Sequence, residues 1–151
     1  MAFPNSVPNR LGVSLPGEVV EAHSSYYVSK PFATEDAACV IGGFVRAGTS
    51  EALCKNGANS GAVLGIIVRD TYLTGNTAGM TLPQGFNATV ALHGVIAIAA
   101  PAAAAYGQNV FVNDTTGAVT FANGTTAEGA TLTGWTVKQG CEANGIAFVM
   151  K

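Results

Sequence analysis

Two histidines, His23 and His93, are the side chains of this 151-residue chain whose ordinary pKa suits acid-base work near neutral pH. A catalytic histidine needs a nucleophile beside it and a partner that orients its ring, and neither histidine sits in such a setting. His93 lies in Val90-Ala-Leu-His-Gly-Val95, where strand alternation puts it on the face opposite Leu92, so it reads as a partly exposed or hydrogen-bonded strand residue. His23 precedes Ser24-Ser25-Tyr26-Tyr27, a cluster of apolar bodies with polar tips that suits an interface or a half-buried strand. Glu35-Asp36 is the one adjacent acidic pair. An acid-base dyad would need the two environments driven apart, and the position after Pro31 reads instead as a polar loop.

Metal and phosphate chemistry find no better footing. Cys39, Cys54 and Cys141 are an odd number at wide spacings, with no CxxC, HExxH or calcium-loop pattern anywhere, and they read as small buried or half-buried hydrophobes. Asn113-Asp-Thr-Thr-Gly117 is rich in oxygen but carries one carboxylate, and Asn, Asp and Gly are what a hairpin turn demands. Gly42-Gly43 and the stretch from Gly57 to Gly65 lack the G-x-G-x-x-G spacing of a phosphate cradle. The expectation is a protein with no catalytic site, no metal and no cofactor.

Composition narrows the partners. Hydrophobic residues make up 48% and charged ones 11%, against about 25% charged in average proteins, and the net charge is −2. The surface must therefore be built from Thr, Asn, Ser, Ala and Gly, which repels neighbours weakly and costs little to desolvate. Lys and Arg occur singly along the chain, so no patch exists to hold a nucleic-acid backbone. The longest apolar stretch, Val95 to Tyr106, falls short of the roughly 20 residues a membrane helix needs and contains Pro101. The first ten residues, MAFPNSVPNR, lack the basic start and apolar run of a signal peptide, so synthesis in a cytoplasm is expected, with neither nucleic acid nor membrane as partner.

The elements that must carry any surface are strands. Short apolar or alternating runs at Val19 to Val28, Ala38 to Arg46, Ala62 to Arg69, Ala88 to Ile98, Gln108 to Val112, Ala118 to Ala122, Thr131 to Val137 and Gly145 to Met150 are separated by Gly, Asn and Pro turn signals. Thr133, Trp135 and Val137 should share one face, Leu132, Gly134 and Thr136 the other, and Ile146, Phe148 and Met150 should lie together. Gly42, Gly43, Gly65, Gly94 and Gly134 inside these runs mark bends and close approaches. The fold class read here is all-β, a small β-barrel or jelly-roll-like sandwich with an extended N-terminal arm. Pro101 to Tyr106 is the one helix candidate, of one or two turns.

The arm is residues 1–22 and the barrel domain 23–151. Pro4, Pro8 and Pro16 remove backbone donors, so this stretch must pack through its side chains. Extended, it would span roughly 70 Å, against a radius of gyration of about 15 Å for the domain, so it can reach a neighbour. Phe3, Pro4, Arg10, Leu11 and Leu15 on the arm, with Tyr26 and Tyr27 beyond it, are the candidate interface residues, because apolar side chains here have few neighbours of their own.

Cys39-Val-Ile-Gly-Gly-Phe-Val-Arg-Ala-Gly48, Gly61-Ala-Val-Leu-Gly-Ile-Ile-Val-Arg69, Val90-Ala-Leu-His-Gly-Val-Ile-Ala-Ile98 and Gly107-Gln-Asn-Val-Phe-Val-Asn-Asp-Thr-Thr-Gly-Ala-Val-Thr120 form a pattern, preceded by Pro16-Gly-Glu-Val19 and closed by a strand rich in Ile, Phe and Val. Over residues 17 to 151 it resembles the structural cement, or head decoration, proteins of tailed bacteriophages. The resemblance implies a non-enzymatic virion protein on the outer capsid surface, bound to the assembled major capsid protein and to itself as a homodimer or homotrimer. The alternative is a phage tail or adhesin-like carbohydrate-binding module, with Tyr26, Tyr27, Tyr72, Tyr106 and Trp135 as stacking platforms.

Overall fold

A computed structural model describes residues 14–21, 27–70 and 80–151. They form eleven strands: β1 (Val19–Glu21), β2 (Val28–Thr34), β3 (Phe44–Ala47), β4 (Leu53–Asn56), β5 (Val63–Ile67), β6 (Asn87–His93), β7 (Val95–Ala100), β8 (Asn109–Asn113), β9 (Val119–Ala122), β10 (Ala130–Gln139) and β11 (Gly145–Met150). Strands β2-β4-β3-β5-β6 close into a barrel, and the other six form an open sheet in the order β1-β7-β11-β10-β8-β9. The all-β expectation holds, with barrel and sheet side by side rather than one barrel alone. β1, whose residues fall in the stretch read as an arm, pairs with β7 at the edge of the open sheet.

Strand alternation explains how the barrel wall serves two cores. On β3 and β5, Val45 and Ile67 point into the barrel while Phe44 and Ile66 point out toward the open sheet; on β6, Val90 and Ala91 divide in the same way. The barrel interior holds Phe32, Cys39, Ile41, Cys54 and Leu82. The second core lies between the barrel wall and the sheet, where Trp135 packs edge-on to Phe44 with ring centroids 6.2 Å apart. As the alternation predicts, Thr133, Trp135 and Val137 are buried while Leu132 and Gly134 are exposed.

Four sequence expectations need correction. The run Ala88 to Ile98 is two strands in different sheets, because Gly94 adopts φ 132°, a conformation L-residues avoid, and turns the chain from barrel to sheet. The run Ala38 to Arg46 is strand only from Phe44 onward, with Val40 making a lone bridge to Thr81. The run Val19 to Val28 contains all of β1 and the first residue of β2, with residues 22–26 outside the described chain, and β2 continues through Pro31 to Thr34. Pro101 to Tyr106 forms no helix: Ala104 instead exchanges backbone hydrogen bonds of 2.9 and 3.0 Å with Cys141. A six-residue stretch with four alanines is too short to nucleate a helix against that tertiary pairing. Gly65 illustrates the close approaches expected of the internal glycines, since a side chain there would collide with the Ala91 carbonyl of β6.

Candidate interaction surface

Among the described residues, the carboxylates and thiols that could have done chemistry are committed to structure; His23 lies outside the described residues. Glu35 accepts from Thr49 N–H at 2.8 Å and faces Lys55 at 3.7 Å. Asp36 accepts from Ala38 N–H, Asn56 N–H and the Cys39 thiol, at 3.1, 3.1 and 3.4 Å. Both carboxylates therefore tie the loop after β2 to its neighbours. Cys39 and Cys54 are fully buried, and the neighbouring Cys54 thiol, burial and the Asp36 carboxylate push the Cys39 thiol up. Cys141 is half-buried, and burial raises it too. His93 is exposed on its strand. Among the described residues, no three His, Cys, Asp or Glu side chains converge. A cleft of about 220 Å³ beside Val40, Phe44, Gly57 and Gly117 is lined without a titratable side chain.

Among the described residues the one charged side chain in the interior is Arg46, a position the sequence reading passed over. It follows Phe44 by two residues on β3, so alternation turns it toward the open sheet, where it is 1% exposed. Its five N–H donors make five hydrogen bonds. Nε donates to Gly57 O at 2.9 Å; Nη1 donates to Gly61 O at 2.9 Å and Thr131 Oγ1 at 3.2 Å; Nη2 donates to Val112 O at 3.3 Å and Asp114 Oδ1 at 2.6 Å. The barrel strand β3 is thereby fastened to β8, β10 and the β8–β9 turn. The hydroxyl of Thr131 donates to Asp114 Oδ1 at 2.6 Å and, with Arg46, holds that carboxyl below its usual range. The stretch Asn113 to Gly117 is the expected hairpin turn, with Asn113 Oδ1 accepting from Thr115 and Thr116 N–H at 2.9 Å each.

Of the seven candidate interface residues, Phe3, Pro4, Arg10, Leu11 and Tyr26 lie outside the described residues. Leu15 is 47% exposed, in a turn closed by the Glu18 N–H to Leu15 O bond of 3.1 Å. Tyr27 is half-buried against the core between barrel and sheet. The two described candidates thus differ: Leu15 is available to a partner and Tyr27 is largely spent on packing. Trp135 is fully buried and Tyr106 is 82% exposed, so these aromatics do not line up as stacking platforms; Tyr72 lies outside the described residues.

The open sheet presents a second apolar area. Its outer face carries Leu132 and Met150, both exposed, with half-buried Ile146 and Phe148 alternating with buried Ala147 and Val149. This is the face-sharing read from the last strand, and it faces away from the core. No catalytic geometry accompanies it; the arrangement can bind and brace.

Comparison with known proteins agrees. A family model described as "Structural cement protein (E217 gp24/Pam3 gp6)" matches residues 3–150. A chain of the solved structure "The capsid of Myoviridae Phage XM1" superposes with a TM-score of 0.68 at 19% identity, covering 99% of this chain and 97% of that one, a likeness of fold. No curated protein matches.

Proposed function

The chain belongs to the phage family of structural cement proteins, non-enzymatic components of the virion, and from that membership we propose that it binds the outer surface of the assembled major capsid protein lattice and stabilises the head. The observation that carries this reading is the family match over nearly the whole chain. The physical character of the molecule supports it: a surface with few charges packs closely against neighbours, and Leu15 stands exposed just before β1. Phe3, Pro4, Arg10 and Leu11 extend that contact onto the shell or onto an adjacent copy. Self-association as a dimer or trimer then multiplies modest single contacts into high avidity. A ligand that binds only the assembled lattice stabilises it by mass action.

The test is co-sedimentation with DNA-free, mature head shells stripped of their own copy. Saturable pelleting at a fixed ratio to the major capsid protein is expected. Protein that stays in solution as shells pellet would overturn the assignment and favour a tail component.

A further inference from the structure

The open sheet ends in an edge that no described residue covers. β9 is last in the strand order and pairs with β8 alone. At the turn, Gly117 N–H donates to Asn113 O and Asn113 N–H to Ala118 O, each at 2.9 Å. Antiparallel alternation then makes Phe111 and Thr120 a hydrogen-bonded pair, so the backbone N–H and C=O groups of Val119 and Phe121 point away from β8. Those groups have no partner among the described residues. Exposed edges are commonly blunted with lysine, proline or a covering loop, because bare ones recruit strands. Ala118-Val-Thr-Phe-Ala-Asn123 carries neither charge nor proline. The opposite end of the sheet differs, since Gly17, just before β1, lies against the barrel and its carbonyl accepts from Arg69 N–H at 2.7 Å.

The chain itself offers a matching strand. Between Pro8 and Pro16, the segment Asn9-Arg10-Leu11-Gly12-Val13 keeps every backbone N–H and alternates Arg10 and Gly12 with Leu11 and Val13. Five residues are enough to span the four-residue β9. The segment joins the described chain at Ser14, near the β1 edge, five strand spacings or roughly 24 Å from β9 of the same copy. Donor segment and acceptor edge thus leave from opposite ends of one sheet, the arrangement that links copies head to tail.

We propose that Asn9–Val13 of one copy adds as a seventh strand to the β9 edge of a second copy. Main-chain hydrogen bonds to Val119 and Phe121 supply affinity, and Leu11 and Val13 fall on the side of Phe121, which is only half-buried against the core. The inference rests on the reading of the N-terminal residues as a contact arm, but not on attachment to a shell.

The experiment uses two full-length variants in solution without shells, Gly12→Cys in one and Thr120→Cys in the other, mixed under mild oxidation and mapped by mass spectrometry. Thr120 is exposed, so its replacement leaves the core intact. A 12–120 disulfide is expected at about tenfold or more over a Ser60→Cys control on the barrel, reflecting raised effective concentration. Deleting residues 2–13 should abolish self-association in sedimentation. Predominant 120–120 links would show β9 pairing with its own copy and overturn the proposal, as would a mixture that stays monomeric and unlinked. Shell pelleting is read separately, so linkage without pelleting sinks the attachment reading alone, and pelleting without linkage sinks this one.

Discussion

Replacing Arg46 with methionine removes the guanidinium while keeping an unbranched side chain of similar reach. The bonds to Gly57 O and Val112 O are buried, so two carbonyls lose their donor where water has no access. Each such loss costs about 1–1.5 kcal/mol, and the partly buried bonds to Gly61 O and Thr131 add a little, for a total of about 3 kcal/mol. The total stays at the low end of the range for breaking buried ion pairs because the stranded partner, Asp114, is 45% exposed and remains hydrated. For a domain of this size that is a fall in Tm of roughly 6–12 °C by calorimetry or thermal circular dichroism. Asp114→Asn is the control: it keeps an oxygen acceptor at an exposed position and should lower Tm by less than half as much. If Asp114→Asn proves as damaging as Arg46→Met, or Arg46→Met shifts Tm by less than about 2 °C, the clamp argument fails. The same carboxylate sets an acid limit. Its folded pKa lies below the ordinary 3.8, so its contribution is complete above that value and disappears as pH falls through the depressed one. The Tm gap between the native chain and Asp114→Asn should therefore hold at neutral pH and close only once the carboxyl is protonated in the folded chain, below its ordinary 3.8.

Two further outcomes test the cores. The indole N–H of Trp135 is buried without a hydrogen-bond partner, so Trp135→Phe removes an orphaned donor along with some packing, and urea unfolding should show a net cost below about 1 kcal/mol, well under the 3–5 kcal/mol of a Trp→Ala change. A thiol-reactive dye at pH 8 should label Cys141 slowly and leave Cys39 and Cys54 untouched in the folded chain, with all three reacting in denaturant; rapid native labelling of Cys39 would contradict its burial and raised pKa.

What the sequence disclosed is tied to period. β8 to β11 lie within two residues of the alternating runs, because each crosses a sheet with one face buried, and period-2 patterning is the imprint of that burial. The carboxylates and thiols also read correctly as structural, since nothing at a catalytic spacing stood beside them. β4 escaped because Leu53-Cys-Lys-Asn56 is too short to show a period. The sheet switch at Gly94 escaped because an apolar run on either side of a glycine looks the same whether the chain continues or turns. Arg46 left a faint signal: an arginine two residues after Phe44 in an apolar strand must share its face, and a charge there needs acceptors that only tertiary structure supplies. The interface residues of the arm drew on composition alone, with no periodic burial to fix them.

The order of strands along the chain has a consequence for biosynthesis. Every barrel strand lies between Val28 and His93, and every strand of the open sheet except β1 lies after Gly94. A chain leaving the ribosome at about 5–20 residues per second can close its barrel before the strands after Gly94 have emerged. Until they arrive, the outward side chains of Phe44, Ile66 and Ala91 have no cover, and β1 has no β7 to pair with. The N-terminal segment is thus made first and docked late, across a loop of more than seventy residues. Gly17 can rest on the finished barrel through Arg69, but β1 and the β9 edge gain their partners only when β7 and β8 have emerged, which delays any sheet-edge joining between copies until each has finished folding.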